Sequence, residues 1–394
     1  MKIALFTDGI QPFVIGGMQT HSFQLAKHLT QLGVMVDLYH TGEPDEQQVL
    51  ALFSESERAY LTVHHIPFPK SGKYPGHYIR ESYQFSKRIW RAFLNQGAKA
   101  DLIYAQGFTG WHGLMVRNKG IHPPICVNLH GLEMYQTAHG FSSKLAHAML
   151  RIPAQFLIRN ADFHHSLGGS LTDILEDQGA DRAKIWELPN GVKPEWFQAP
   201  AQPNESGRSW VFLGRYELRK GIELLNETLP DILAGTDIQF TFIGPIPDEH
   251  RINHPHVHYT GMVREFEVLQ KYLAQADWLV CPSLAEGMPT VILEAMASRC
   301  GIIATDVGAT RLLVDHEVGF LIPPSDLAAL SGALRQAADL GESEITHIQD
   351  RAFRRAKHQF AWPVIAETLV EQISQTLSIS GPSNRPLSQE ISRS

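Results

Sequence analysis

Cysteine is scarce in this chain. Three residues in 394, Cys126, Cys281 and Cys300, are odd in number and scattered, which excludes a disulfide framework, and no CxxC spacing offers a metal or redox pair. The expectation is a reducing, cytoplasmic setting, extending to the inner face of a membrane. Long apolar runs are missing too. Nothing approaches the roughly 18 uncharged apolar residues of a spanning helix. The opening MKIALFTDG reads as a short strand and a Gly turn rather than as a signal peptide with its longer apolar core. Positive charge is in deficit, with 34 Lys and Arg against 41 Asp and Glu and a net charge of −7, so a nucleic-acid partner is not expected. The glycine fingerprint GxGxxG is also missing, which argues against an NAD-dependent oxidoreductase.

What is present is ordinary globular composition, 43% hydrophobic and 19% charged, over a length that suits two domains. Short apolar runs alternate with amphipathic stretches. Ile3–Phe6 is a continuous apolar run of the kind that forms a parallel strand covered on both faces. A helical pattern follows with Met18, Ser22, Leu25, Leu29 and Leu32 on one face, ended by Gly33, and Val34–Tyr39 reads as the next strand. Further strands are expected at Leu102–Ala105, Ile125–Leu129, Asp162–Ser166 and Lys184–Leu188. The alternation breaks at a polar, proline-bearing stretch, 193–208. It restarts with strands at Trp210–Gly214, Ile238–Ile243, Val257–Thr260, Trp278–Cys281, Ile302–Thr305 and Gly319–Ile322. The expected fold class is therefore α/β, with two Rossmann-like doubly wound domains at 1–192 and 209–360 joined by the linker 193–208. A helix at 361–377 and a polar tail at 378–394, expected to be disordered, complete the chain.

Three segments carry chemistry. In AEGMPTVILEAMAS, Glu286 lies on the loop after a strand, Pro289 suits a helix start and Glu294 falls inside that helix, about 7.5 Å further along its axis. A charge within VILEAMA is costly to bury without a purpose. The helix mouth offers free N–H groups and partial positive charge to a pyrophosphate. In FLGRYELRKGIELL, Arg215 and Lys220 follow a strand end, where α/β sheets dock ligands, and two cations there fit a diphosphate. In DGIQPFVIGGMQTH, Gly16 and Gly17 precede a helix and let backbone approach a phosphate; alone, the pair would mark a plain tight turn.

In this order and spacing the segments resemble retaining glycosyltransferase family 4, with the GT-B fold. The resemblance runs from MKIALFTDG to the region of Trp362 and takes in LPNGV at 188–192, FIG at 242–244, YTGMV at 259–263 and TDVGATRLLVDHEVGFLIPP at 305–324. It implies an interdomain cleft, a nucleotide-sugar donor (a UDP-sugar by preference), a hydroxyl acceptor and a last helix crossing back to the first domain. Carried over by position, it gives Glu294 to the ribose hydroxyls, Glu286 to the donor sugar, and Arg215 and Lys220 to the diphosphate. Gly16 and Gly17 face the diphosphate, Val263 lies near the base, and Thr290 and Val291 lie beside phosphate and ribose. His130 sits beside the reacting sugar. Where family members often carry Asp after PNGV, this chain has Lys193.

The implied reaction retains anomeric configuration by same-face substitution, the leaving diphosphate helping to deprotonate the acceptor. It needs no cofactor and no metal; there is no Asp-x-Asp pair of the kind that holds a metal-diphosphate in the other major glycosyltransferase fold. The histidines of HPHVH (His254, His256, His258), on one face of a presumed strand, and the doublets His64–His65 and His164–His165 read as plain polar residues rather than ligands. The segment 70–91 carries six cations, including Lys73, Arg80 and Lys87, against the single acid Glu81. With Tyr74, His77 and interleaved aromatics, it is expected to meet an anionic or lipid-linked acceptor, with peripheral membrane contact; the plainer reading is a solvated helix face with its aromatics packed inward. Rival readings within the same fold are a nucleotide-sugar epimerase or phosphorylase, and outside enzymes a non-catalytic partner that binds sugar nucleotides.

Overall fold

The computed structural model describes the chain except for residues 15, 43–44, 70–71, 73–75, 137–140, 199–207 and 380–394. Lys73, Tyr74, most of the expected linker and nearly all of the polar tail therefore lie outside the described residues.

Thirteen strands in the described residues form two sheets. The first holds β1 (Lys2–Phe6), β2 (Met35–His40), β3 (Leu61–His65), β4 (Leu102–Gln106), β5 (Ile125–Asn128), β6 (Phe163–Ser166) and β7 (Ile185–Glu187), in the spatial order β3-β2-β1-β4-β5-β6-β7. The second holds β8 (Ser209–Leu213), β9 (Gln239–Ile243), β10 (Val257–Gly261), β11 (Trp278–Cys281), β12 (Gly301–Thr305) and β13 (Gly319–Ile322), in the order β10-β9-β8-β11-β12-β13. Every named strand pair is parallel, from Ile3 opposite Val36 and Leu102 to Ile302 opposite Gly319. Central strands such as β1 and β4 are buried along nearly their whole length, as parallel strands covered by helices on both faces must be. Both sheets change direction beside their first strand, at β1/β4 and β8/β11, so both open a ligand crevice at the carboxyl ends of those strands.

Six helices position the site: α1 (Gly17–Gln31), α2 (His77–Asn95), α3 (Phe141–Asn160), α4 (Ile222–Leu233), α5 (Thr290–Ala297) and α6 (Trp362–Ile379). Along α1, Ser22, Leu25 and Leu29 are buried, whereas Leu32 caps the helix and is exposed. The last helix, α6, sends Trp362, Ile365, Leu369 and Ile373 into the core of the first sheet among Ile3, Leu5, Leu25 and Leu29. Burying each such side chain is worth about 1.5–3 kcal/mol, enough to hold the helix there. The chain crosses between the lobes at two adjacent points, tied where Val192 N–H donates to Phe360 O at 2.7 Å and Trp362 N–H to Val192 O at 3.1 Å. Strand β3 has no counterpart in the sequence reading, and α6 runs two residues past 377.

Candidate active site

The two crevices face each other. Between them lies a cleft of about 490 Å³ lined by Gly17, Tyr78, His130 and Glu133 from the first lobe and by Arg219, Lys220, Glu286, Thr290 and Val291 from the second. The lobes touch closely behind it. Gln136 Nε2 donates to Glu286 O at 2.8 Å, Ser170 Oγ to Gly308 O at 3.0 Å, and Asn190 N–H to Met288 Sδ at 3.1 Å. A Cβ on Gly287 would stand 2.8 Å from the Gly131 Cα, so this approach of backbone to backbone requires glycine.

Glu286 follows β11 on a loop and is 6% exposed. Its Oε1 accepts from Lys220 Nζ at 2.6 Å and Ser283 Oγ at 2.9 Å, and its Oε2 from Arg219 Nη1 at 3.1 Å. Lys220 reaches this loop because the chain turns sharply at Gly221, whose φ of 68° is left-handed and where a Cβ would stand 2.1 Å from Pro282 O. Arg219 is further fixed by Glu217 Oε2 at 2.6 Å. Arg215 lies outside the cleft lining. It is paired with Glu217, and its side chain is 71% exposed. Arg219, adjacent in sequence to Lys220, was legible as a cation but was not among the expected site residues, and neither was Tyr78.

Pro289 caps α5, and the helix offers the amides of Thr290 and Val291 to the cleft. Glu294 sits a turn further along the same helix, outside the residues that line the cleft, and has no hydrogen-bond partner among the described residues. Burial pushes its carboxyl up to about 7, opposed by the nearby Lys193 ammonium. Lys193, where the chain leaves the first lobe, donates to Gln11 Oε1 of that lobe at 3.1 Å. Gly16 directly precedes α1 without lining the cleft, and Val263 follows β10 and packs against the apolar core.

His130 follows β5 in the left-handed region, φ 59°, its backbone N–H held by Asn128 Oδ1 at 2.8 Å. Its ring pairs with Gln106 at 2.6 Å, and burial, with His165 nearby, pushes its pKa down to about 3, so it is neutral. His164 and His165 are buried rather than on a sheet surface. His254 Nδ1 accepts from the His256 amide at 3.2 Å, and no group of three His, Cys, Asp or Glu able to hold a metal occurs among the described residues.

The cationic segment mostly follows the plainer of its two expectations. Phe85 and Trp90 pack inward from α2, Arg80, Arg88 and Arg91 are exposed, and His77 pairs with Glu81. Of its residues, Tyr78 alone reaches the cleft among those described. No described helix is long and apolar enough to cross a membrane.

Two doubly wound domains enclosing a cleft of this composition define the GT-B class. Residues 15–196 match the family described as Glycosyltransferase Family 4, and residues 207–339 match Glycosyl transferases group 1. The chain belongs to glycosyltransferase family 4. It is 30% identical over 219 residues to a phosphatidyl-myo-inositol mannosyltransferase of Mycobacterium leprae, a match covering 52% of this chain and 57% of the relative. It is 29% identical over 197 residues to a putative teichuronic acid biosynthesis glycosyltransferase of Bacillus subtilis, covering 47% and 45%. The chain thus spans about half the length of these curated relatives. A solved sucrose-phosphate synthase from Thermosynechococcus elongatus shares the fold, with a TM-score of 0.76 at 20% identity over 96% of this chain and 99% of that one.

Proposed function

We propose that this protein transfers a sugar from a nucleotide-sugar, with UDP the favoured carrier, to an acceptor hydroxyl with retention of configuration. The carrying observation is the convergence of Lys220, Arg219, Glu286 and the open first turn of α5 on one cleft, with neutral His130 opposite. A diphosphate placed there meets Lys220 and the helix mouth and competes with Glu286 for the ammonium. Arg219, clamped between Glu217 and Glu286, serves as scaffold. Arg215 is itself exposed and has one partner, the half-buried Glu217, a pairing worth at most about 1 kcal/mol, so a diphosphate can draw it inward at little cost. Glu286 and His130 then address sugar hydroxyls and Glu294 the ribose. The departing charge is neutralised by side chains and helix amides, so the reading calls for no metal.

No carboxylate is assigned as a nucleophile beneath the anomeric carbon, which favours same-face substitution over double inversion. The M. leprae relative, named for a phosphatidyl-myo-inositol acceptor, supports a lipid-linked acceptor for this chain. Incubation with radiolabelled UDP-glucose, UDP-galactose and GDP-mannose, with thermal-shift screening of UDP, GDP and ADP, tests the reading. A nucleotide at about 100-fold its Kd should stabilise the protein by about 2.7 kcal/mol, and the matching donor should release nucleotide slowly. Isomerised sugar with no release would point to an epimerase. Binding without turnover, acceptors supplied, would point to a non-catalytic partner.

A further inference from the structure

Behind His130 lies a continuous buried chain of hydrogen bonds that no functional assignment above uses. His165 Nε2–H donates to Leu188 O at 2.7 Å, which leaves His165 Nδ1 to accept from the Tyr104 hydroxyl. Asn128 Nδ2 donates to that hydroxyl at 3.4 Å and Asn128 Oδ1 accepts from the His130 backbone. On the other side of His130, its Nε2 meets Gln106 Oε1 at 2.6 Å, and Gln106 Nε2 meets His21 Nδ1 at 2.9 Å. The shorter contact fits an N–H···O bond and the longer an N–H···N bond, so the amide oxygen faces His130. His130 therefore carries its proton on Nε2. Its Nδ1 has no partner among the described residues and is not sealed in, and the ring lines the cleft. His21 Nε2 is buried without a hydrogen-bond partner, its ring T-shaped against Trp362 at 5.2 Å, where α6 begins. Burial keeps His21 and His165 neutral as well.

We propose that Gln106 is a positioning residue which, braced by His21, locks His130 as the Nε2–H tautomer so that its Nδ1 lone pair accepts a hydrogen bond from a hydroxyl of the bound sugar. The inference rests on the reading of the cleft as a sugar-nucleotide site. Gln106 lines a side chamber next to the cleft rather than the cleft itself, so it acts through His130. Without it, either ring nitrogen can hold the proton. Part of the population then presents an N–H to the cleft, where it can no longer accept from the sugar.

The experiment is nitrogen-15 NMR of the histidine rings in the ligand-free full chain, with His130→Asn assigning the His130 signals. Wild type should show His130 as one tautomer, protonated at Nε2, and Gln106→Met should show a mixture. Calorimetry with UDP should give the same Kd for both within about twofold, while kcat with whichever of the three labelled donors wild type turns over falls about tenfold, the worth of one hydrogen bond. Tyr104→Phe, which cuts the other branch, should leave the His130 tautomer unchanged. An Nδ1–H tautomer in wild type would overturn the proposal. So would a Gln106→Met protein with the wild-type tautomer, or one with mixed tautomers and undiminished kcat. Should Gln106→Met not fold, the wild-type tautomer and the Tyr104→Phe control still decide. Failure of wild type to bind any nucleotide would sink the donor reading and leave the tautomer result standing.

Discussion

Glu294 carries two opposing demands. A carboxyl raised from its ordinary value to about 7 binds a proton in the folded chain that it has lost in the unfolded one. Between about pH 4.5 and 7 the folded state thus holds more protons, and stability falls as pH rises across that window and levels off above it. Glu294→Gln should remove this fall and make the unliganded protein more stable at pH 8, by about 1–3 kcal/mol in urea denaturation. The same substitution should weaken UDP binding, because ribose hydroxyls donate to a carboxylate. UDP affinity should therefore rise more steeply from pH 6 to pH 8 in wild type than in Glu294→Gln, where only the terminal phosphate of UDP still titrates. Equal pH slopes in calorimetry would remove Glu294 from the ribose site. Arg215 makes the complementary case. Its exposure predicts that Arg215→Ala leaves stability within about 0.5 kcal/mol, while loss of a phosphate contact should lower kcat/KM by about 2–4 kcal/mol of transition-state stabilisation. Unchanged kcat/KM would leave Arg215 with its surface pairing to Glu217 and no more.

At the scale of elements, the turn at Gly221 links sequence to site most directly. It ends a short helical turn over Leu218–Lys220 and starts α4, and it holds Lys220 against the loop that bears Glu286. Gly221→Ala places a Cβ against the backbone oxygen of Pro282 in a left-handed residue, so that loop must shift. Turnover with the donor should drop by more than tenfold while the melting temperature falls only a few degrees. A variant that kept full activity would show that the ion pair is not held by this turn. Such elements were legible because parallel strands are apolar throughout and helices begin at Gly and Pro. Strand β3 was not, because His64 and His65 hide its buried face: His64 stacks on Tyr39 and His65 bonds to Gly42 O. Glu286 and Lys220 could be picked out because each ends a strand–loop motif. The roles of Gln106 and His21 could not, since they arise from contacts 85 and 24 positions apart in the chain.

For the whole molecule, the site exists only while the lobes are together. Glu286, Lys220 and α5 belong to one lobe and His130 and Tyr78 to the other, and the lobes meet where Gly287 passes Gly131. A branched side chain at 287 acts as a wedge. It lies beside the donor contacts of the second lobe without replacing any of their side chains. Gly287→Val should therefore keep UDP affinity within about fivefold of wild type, since the phosphate and ribose contacts belong to that lobe. Turnover should fall at least 100-fold, because His130 and the acceptor face are held off by ångströms and misplacement of that size costs about two orders of magnitude. Small-angle scattering should report a larger radius of gyration for the variant. If the variant stayed as compact as wild type and as active, lobe contact at this point would not be what assembles the site. If it lost UDP affinity far beyond fivefold, the first lobe would be contributing to nucleotide binding itself, and Gly17 at the start of α1 would be the first residue to test.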